Sequence, residues 1–240
     1  MSFMNVLYQD EKIIAVCKPS GVVSHANEWT KEYEKPALQQ ARDIVGKHVY
    51  MIHRLDRPTS GILLFGKTPE AARFVKNLFD VHHIEKTYHA LVRGFLSENQ
   101  LIDHPVNGKQ SISLLEPLCH LTLDIPVGKY AQARYTFARL KPKTGRMHQL
   151  RKHMVHLRNP IVGDTVYGDR HHNKMFKQTL GFNRLWLFAT SIKLRDYYEY
   201  EKNGSKDLEI HCPITHKCRR FLMKNNTFVA DSMPSQSSML

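Results

Sequence analysis

The stretch HRLDRPTSGILLFGK, His53 to Lys67, joins two kinds of sequence whose meeting decides how the chain is built. Its second half, Gly61 to Lys67, is an apolar run too short for a helix and bounded by glycines, which predicts a central strand. Its first half carries charge, Pro and Gly, and predicts a loop feeding that strand, with Asp56 set between Arg54 and Arg57. Immediately downstream, Thr68 is placed to cap a helix and Pro69 suits its first position, while Ala71, Phe74, Val75, Leu78 and Phe79 form one apolar stripe. A loop, a buried strand and a capped amphipathic helix in succession point to a chain that packs helices on a sheet.

The same reading extends in both directions. Upstream, KIIAVCKPSG predicts a short buried strand ending in a turn over Pro19 to Gly21, and Pro36 to Gly46 predicts a helix burying Ala37, Leu38, Ala41, Ile44 and Val45. Downstream, KTYHALVRG alternates, with Tyr88, Ala90 and Val92 on one side, and ARYTFARL, LWLFATSIKL and LEIHC continue the strand pattern. Met147, Leu150, Met154 and Leu157 have the spacing of an amphipathic helix. Residues 97–130 have weak period and several Pro, Gly and Asn, which predicts an irregular connection with one strand near HLTLDI. The Ser- and Met-rich tail from Asn226 predicts disorder. With no internal repeat and no second domain evident, one domain is expected over residues 1–225, followed by a tail over 226–240.

Charge narrows the partner. Lys and Arg number 35 against 22 acids, a net charge of +13, which predicts a partner carrying phosphates. The excess is concentrated: residues 139–158, RLKPKTGRMHQLRKHMVHLR, hold seven Lys or Arg, three His and no acid. No apolar run has the length of a spanning helix, and no secretory signal or lipidation pattern is present, so the chain reads as soluble and cytoplasmic, with no membrane partner. Cys17, Cys119, Cys212 and Cys218 are widely scattered and read as reduced thiols. The segment HCPITHKC, His211 to Cys218, lacks the second half of a zinc site, and the metalloprotease and deaminase spacings are missing, so no metal is expected.

On residue chemistry alone, Asp56 has two readings. An Asp between arginines can be a solvated ion pair of little consequence. It can also be a carboxylate kept charged by guanidinium groups in a partly dry cleft, available as a nucleophile or proton acceptor. A non-catalytic RNA-binding domain would account for the charge but not for a carboxylate within the basic site. A phosphotransferase is disfavoured, because His-Arg-x-Asp stands without a Gly-rich loop, a paired Lys or Asp-Phe-Gly. A metal nuclease would need several clustered acids.

HRLDRPTSG resembles the catalytic motif of the RluA-type pseudouridine synthases. KTYHALVRG, LKPKTGRMHQLRKHMVHLRNPIVGD and the opening LYQDEKIIAVCKPSGVVSH are similar to further blocks of that family, in order from Leu7 to Asp164. The resemblance implies an α+β fold with a mixed, largely antiparallel sheet and a central RNA-binding cleft, no S4-type domain, and an isomerase that needs no cofactor. DRPTSG, VGKYAQARY and GDTVYGDRHHN resemble the tRNA-modifying members, implying RNA, most specifically uridine 65 of tRNA, as the partner of a monomer that does not act on DNA. An rRNA or dual-specificity synthase is the alternative.

Residue by residue, the resemblance implies Asp56 as the catalytic carboxylate, Tyr88 stacked on the uracil and aiding removal of its C5 proton, and Arg151 pairing with Asp56. It implies Leu150 packing on the base and Arg54 filling the gap left by a flipped uridine. Lys18, Lys86, Lys143, Arg146, Lys152 and Arg158 are expected as phosphate contacts by type and position.

Overall fold

The computed structural model describes residues 4–26, 30, 35–198 and 206–228. The chain forms two compact units, Met1–Lys86 with Ala189–Cys212, and Thr87–Phe188 with Pro213–Leu240. Each is described by itself.

The first unit opens with β1 (Asn5–Gln9) and β2 (Ile13–Lys18), an antiparallel pair. After α1 (Ala37–Val45) come β3 (Tyr50–Met51), β4 (Ser60–Gly66) and α2 (Pro69–Asp80). β4 pairs antiparallel with β2, from Ile13 opposite Gly66 to Lys18 opposite Gly61, and with β3. Its residues are buried on both faces, which explains the unbroken apolar run ILLF. The chain leaves this unit along β5 (Ile84–Arg93).

In the second unit, β6 (Gln100–Asp103) and β7 (Ile112–Leu123) precede β8 (Ala133–Pro142), which lies between β5 and β7. Helices α3 (Gln149–His156) and α4 (Arg170–Gln178) follow. β9 (Leu187–Tyr198) then returns the chain to the first unit, where it neighbours β4 and pairs antiparallel with β10 (Lys206–His211). Finally α5 (His216–Asn225) and β11 (Asn226–Phe228) rejoin the second unit, β11 pairing with β7. Helices packed with antiparallel strands give the expected α+β class. Trp186, fully buried, anchors the second core with Phe182 and Phe221 at ring distances of 4.9 and 5.5 Å.

The α2 cap forms as the sequence predicts, Thr68 Oγ1 accepting from the Ala71 N–H at 3.1 Å. Other expectations need correction. Helix α1 buries Ala37 and Ala41, while Ile44 is 40% exposed, so its apolar face is narrower than its period suggests. Residues 97–130 hold two strands; a register shift between Pro117 and Cys119 breaks the alternation that would have revealed β7. Helix α3 begins after Met147, because His148 takes a left-handed conformation at its N-cap, and Met147 is 52% exposed. The tail expectation fails at Asn226, where β11 begins; residues 229–240 lie outside the described residues. Cys17 and Cys212, far apart in sequence, bring their thiol sulfurs to 3.0 Å.

Candidate active site

Asp56 sits in the loop between β3 and β4, and the segment Lys18 to Ser24 clasps that loop. Ser24 Oγ donates to the Leu55 carbonyl at 2.8 Å and accepts from the Leu55 N–H at 3.1 Å. Ser20 Oγ donates to the Pro58 carbonyl at 2.8 Å, the Gly21 N–H to the Arg57 carbonyl at 2.9 Å, and Arg57 Nε to the Gly21 carbonyl at 3.0 Å. The Thr59 N–H closes a turn onto the Asp56 carbonyl at 3.0 Å. Leu55 is buried and Arg54 and Arg57 are exposed, with Asp56 half-buried between Leu55 and Arg57.

Lys18 completes the clasp. Its fully buried ammonium donates to the carbonyls of Val22, Pro19 and Arg57 at 2.8, 3.1 and 3.1 Å. Burial pulls its pKa down to about 7, and the Asp56 carboxylate beside it works in the opposite direction. Three N–H groups meet three carbonyls, so Lys18 has no donor for an RNA phosphate, and the phosphate role read from sequence is corrected.

His53 is structural: its Nε2 accepts from the Leu64 N–H at 3.1 Å, and burial, with the nearby Lys86 charge, depresses its pKa to about 3. Gly61 is required where β4 begins. Its φ is +118°, and a Cβ there would stand 2.1 Å from the Ala189 carbonyl oxygen.

The second unit holds Tyr88, Leu150 and Arg151. Tyr88 is on β5 opposite Leu140, half-buried against the core. Leu150 and Arg151 are buried on α3, with Arg151 only 3% exposed. The Arg151 guanidinium forms a two-pronged pair with Asp164, Nε to Oδ2 at 2.7 Å and Nη2 to Oδ1 at 2.8 Å, and lies 5.0 Å over the Tyr167 ring. Asp164 Oδ1 also accepts the Val166 and Tyr167 N–H groups, each at 3.0 Å. Burial alone would raise the Asp164 pKa, but the Arg151 and backbone hydrogen bonds outweigh it and hold the carboxyl below its usual range. Asp164 and Tyr167 are site residues that the sequence reading missed. The signal was their place at the end of the run NPIVGDTVY, directly after the basic segment.

Gln149 fixes the start of α3, accepting from Thr144 Oγ1 at 2.7 Å and donating to the Ile112 carbonyl at 2.9 Å. Among the remaining expected phosphate contacts, Lys143, Arg146 and Arg158 are exposed, and half-buried Lys152 hydrogen-bonds Asn107 Oδ1 and lies over Tyr167. Lys86, half-buried in the first unit, stands 5.6 Å over Phe79, and burial lowers its pKa. Thus Asp56, Arg54, Lys18 and Lys86 belong to one unit, and Tyr88, Lys143, Arg146, Leu150, Arg151, Lys152 and Arg158 to the other. Among the described residues no three His, Cys, Asp or Glu side chains converge as a metal site.

The clasped carboxylate lies on a loop, and the buried guanidinium on a basic helix. The sequence profile of the RNA pseudouridylate synthase family matches residues 12–156, a span that includes both. The chain belongs to this family. It is an RluA-type pseudouridine synthase, an isomerase acting on RNA. The chain is similar to "tRNA pseudouridine synthase C" of Vibrio cholerae, 39% identical over 211 residues, covering 81% of this chain and 86% of that one. The protein of the same name from Haemophilus ducreyi is 41% identical over 201 residues, covering 78% and 83%. In structure, this synthase is similar to "Human RNA Pseudouridylate Synthase Domain Containing 1", with a TM-score of 0.71 at 22% identity over 96% of this chain and 91% of that one. That likeness shows the pseudouridine synthase fold.

Proposed function

We propose that the substrate is tRNA, that uridine 65 is the base isomerised, and that Asp56 is the catalytic carboxylate. The observation that carries this reading is the clasped loop, which spends Lys18, Ser20, Ser24 and the Arg57 backbone on holding the half-buried Asp56 in place. The names of the similar bacterial proteins support tRNA as the substrate class.

Uridine and pseudouridine are isomers. The bond from N1 to C1′ breaks, a bond from C5 to C1′ forms, the C5 proton leaves and N1 gains one. Atoms and electrons balance without a redox partner, nucleotide or metal, so the reading assigns no cofactor. Asp56 acts on the ribose or the base as nucleophile, or on the sugar as proton acceptor; each route needs a fixed carboxylate. Tyr88 is assigned to stacking on the uracil and easing loss of the C5 proton, Leu150 to packing on the base, and Arg151 to balancing the Asp56 charge. Arg54, exposed and planar, is assigned to the gap a flipped uridine leaves. Lys86, Lys143, Arg146, Lys152 and Arg158 are assigned to phosphates. The enzyme is read as a cytoplasmic monomer acting on RNA and not DNA; among the described residues no helix is long and apolar enough to cross a membrane.

Tritium release from C5-labelled uridine, measured separately in unmodified tRNA and rRNA without added cofactor, tests the reading. Release from tRNA is expected, and loss of release when uridine 65 is replaced by cytidine. Asp56→Asn should bind the RNA and lose at least about a hundredfold in turnover. Release from rRNA alone would move the substrate class, and full turnover by Asp56→Asn would remove Asp56 from the chemistry.

A further inference from the structure

Two stretches of the sequence, VGKYAQARY (Val127 to Tyr135) and GDRHHN (Gly168 to Asn173), take no part in the reaction proposed above. In the second unit they come together along one groove of about 930 Å³, which Arg93 also lines.

The charge of this groove is one-sided. Asp169 is the carboxylate that lines it, and both its oxygens are committed: Oδ2 accepts from Arg93 Nη1 at 2.5 Å, and Oδ1 from the His171 and His172 N–H groups at 2.9 and 3.2 Å. Lys129 and Arg134 add positive charge that Asp169 does not neutralise.

Tyr130 lines the groove with an exposed aromatic ring, and a second, Phe95, lies against the lining residue Arg134. Val127 and Tyr130 exchange backbone hydrogen bonds of 2.9 and 3.2 Å around Gly128, whose φ is +59°, and buried Val127 anchors the turn. The Tyr130 ring stands 63% exposed with Lys129 Nζ 5.5 Å from its centroid. The Arg134 guanidinium lies 5.5 Å over Phe95, itself 44% exposed and stacked on His120 at 4.5 Å. Folding gains little from holding an aromatic ring in water beside cations. A nucleotide offers the complement: a π-face for the ring and a phosphate for the cations.

We propose that this groove is an RNA contact site separate from the residues assigned to the reacting uridine, taking an unpaired nucleotide with its base on Tyr130 and its phosphate on Lys129 and Arg134. This deepens the tRNA reading and rests on it: the groove supplies affinity for the RNA beyond the base that reacts.

Tyr130→Ala and Arg134→Gln, in the full chain, test it with an unmodified tRNA transcript labelled at C5. Each should raise KM about tenfold and leave kcat within about twofold. Arg134→Gln should also reduce the slope of log affinity against log salt by about one. Tyr130→Trp, which restores a stacking face, should return KM to near the wild-type value. Wild-type KM in both truncated variants, with the wild type active, would overturn the groove and leave the function standing. An equal fall in kcat with unchanged KM would also overturn it. If the wild type turns over rRNA and not tRNA, the tRNA reading fails, and the same KM comparison on rRNA decides the groove.

Discussion

Lys18 behaves unlike the lysines around it. A surface lysine keeps its ammonium in water; this one has exchanged water for three backbone carbonyls, one of them belonging to Arg57 in the Asp56 loop. Lys18→Met would strand those carbonyls in a buried site and should destabilise the protein by at least about 3 kcal/mol, read from denaturant unfolding. It should leave the salt dependence of RNA binding unchanged, measured where the variant is folded. Lys152→Ala is expected to do the reverse, flattening the salt slope by about one with little loss of stability. A flattened slope in Lys18→Met would restore Lys18 as a phosphate contact. Asp56 was legible in the sequence because its motif is local. Lys18 was read as a phosphate contact because residue type says nothing of burial, and only the fold brings Val22 and Arg57 to one ammonium.

Helix α3 is short and basic, and it holds its place through buried polar groups. Gln149 bonds four groups, and Arg151 gives two N–H groups to Asp164. Asp164→Asn keeps the shape but removes the charged acceptor of two N–H groups of a buried guanidinium, and should cost about 3–5 kcal/mol. Because Asp164 orients Arg151, turnover should fall with it, while Asp164→Glu should recover part of both. Tritium release together with the unfolding midpoint checks this, and a stable, active Asp164→Asn would end the positioning role. Elements with one clean period, such as β4 and α2, were readable. β7 was hidden by the register shift near Pro117, and α4 by a polar composition whose start is marked by the Asp169 cap.

At the scale of the whole chain, the division at Lys86 and Ala189 was unreadable because it falls inside β5 and β9, where strand patterning is continuous. The chain's 15 histidines, by contrast, carry a whole-molecule consequence that burial sets. In the first unit, burial and the Lys86 charge hold His53 down to about 3; in the second, burial and the Arg139 charge hold His89 down to about 4. Unfolded, both titrate near 6.5. Between pH 6.5 and about 4 the unfolded chain therefore binds protons that these two folded histidines refuse, so their contribution to stability is full above 6.5 and is lost as the pH falls. Each histidine contributes a slope of about 1.4 kcal/mol per pH unit, about 2.7 for the two, and His153 and His172, shifted downward by burial, add in the same sense. Carboxyls held below their usual range, among them Asp10, Asp164 and Asp169, add their own loss only at lower pH, because an unfolded Asp titrates near 3.9. Urea unfolding at half-unit steps from pH 6.5 to 4.5 should show the steep fall, and His89→Phe should reduce its slope by about 1.4 kcal/mol per pH unit whatever it does to the absolute stability. An unaltered slope in that variant would mean that His89 takes up its proton in the folded chain as readily as in the unfolded one.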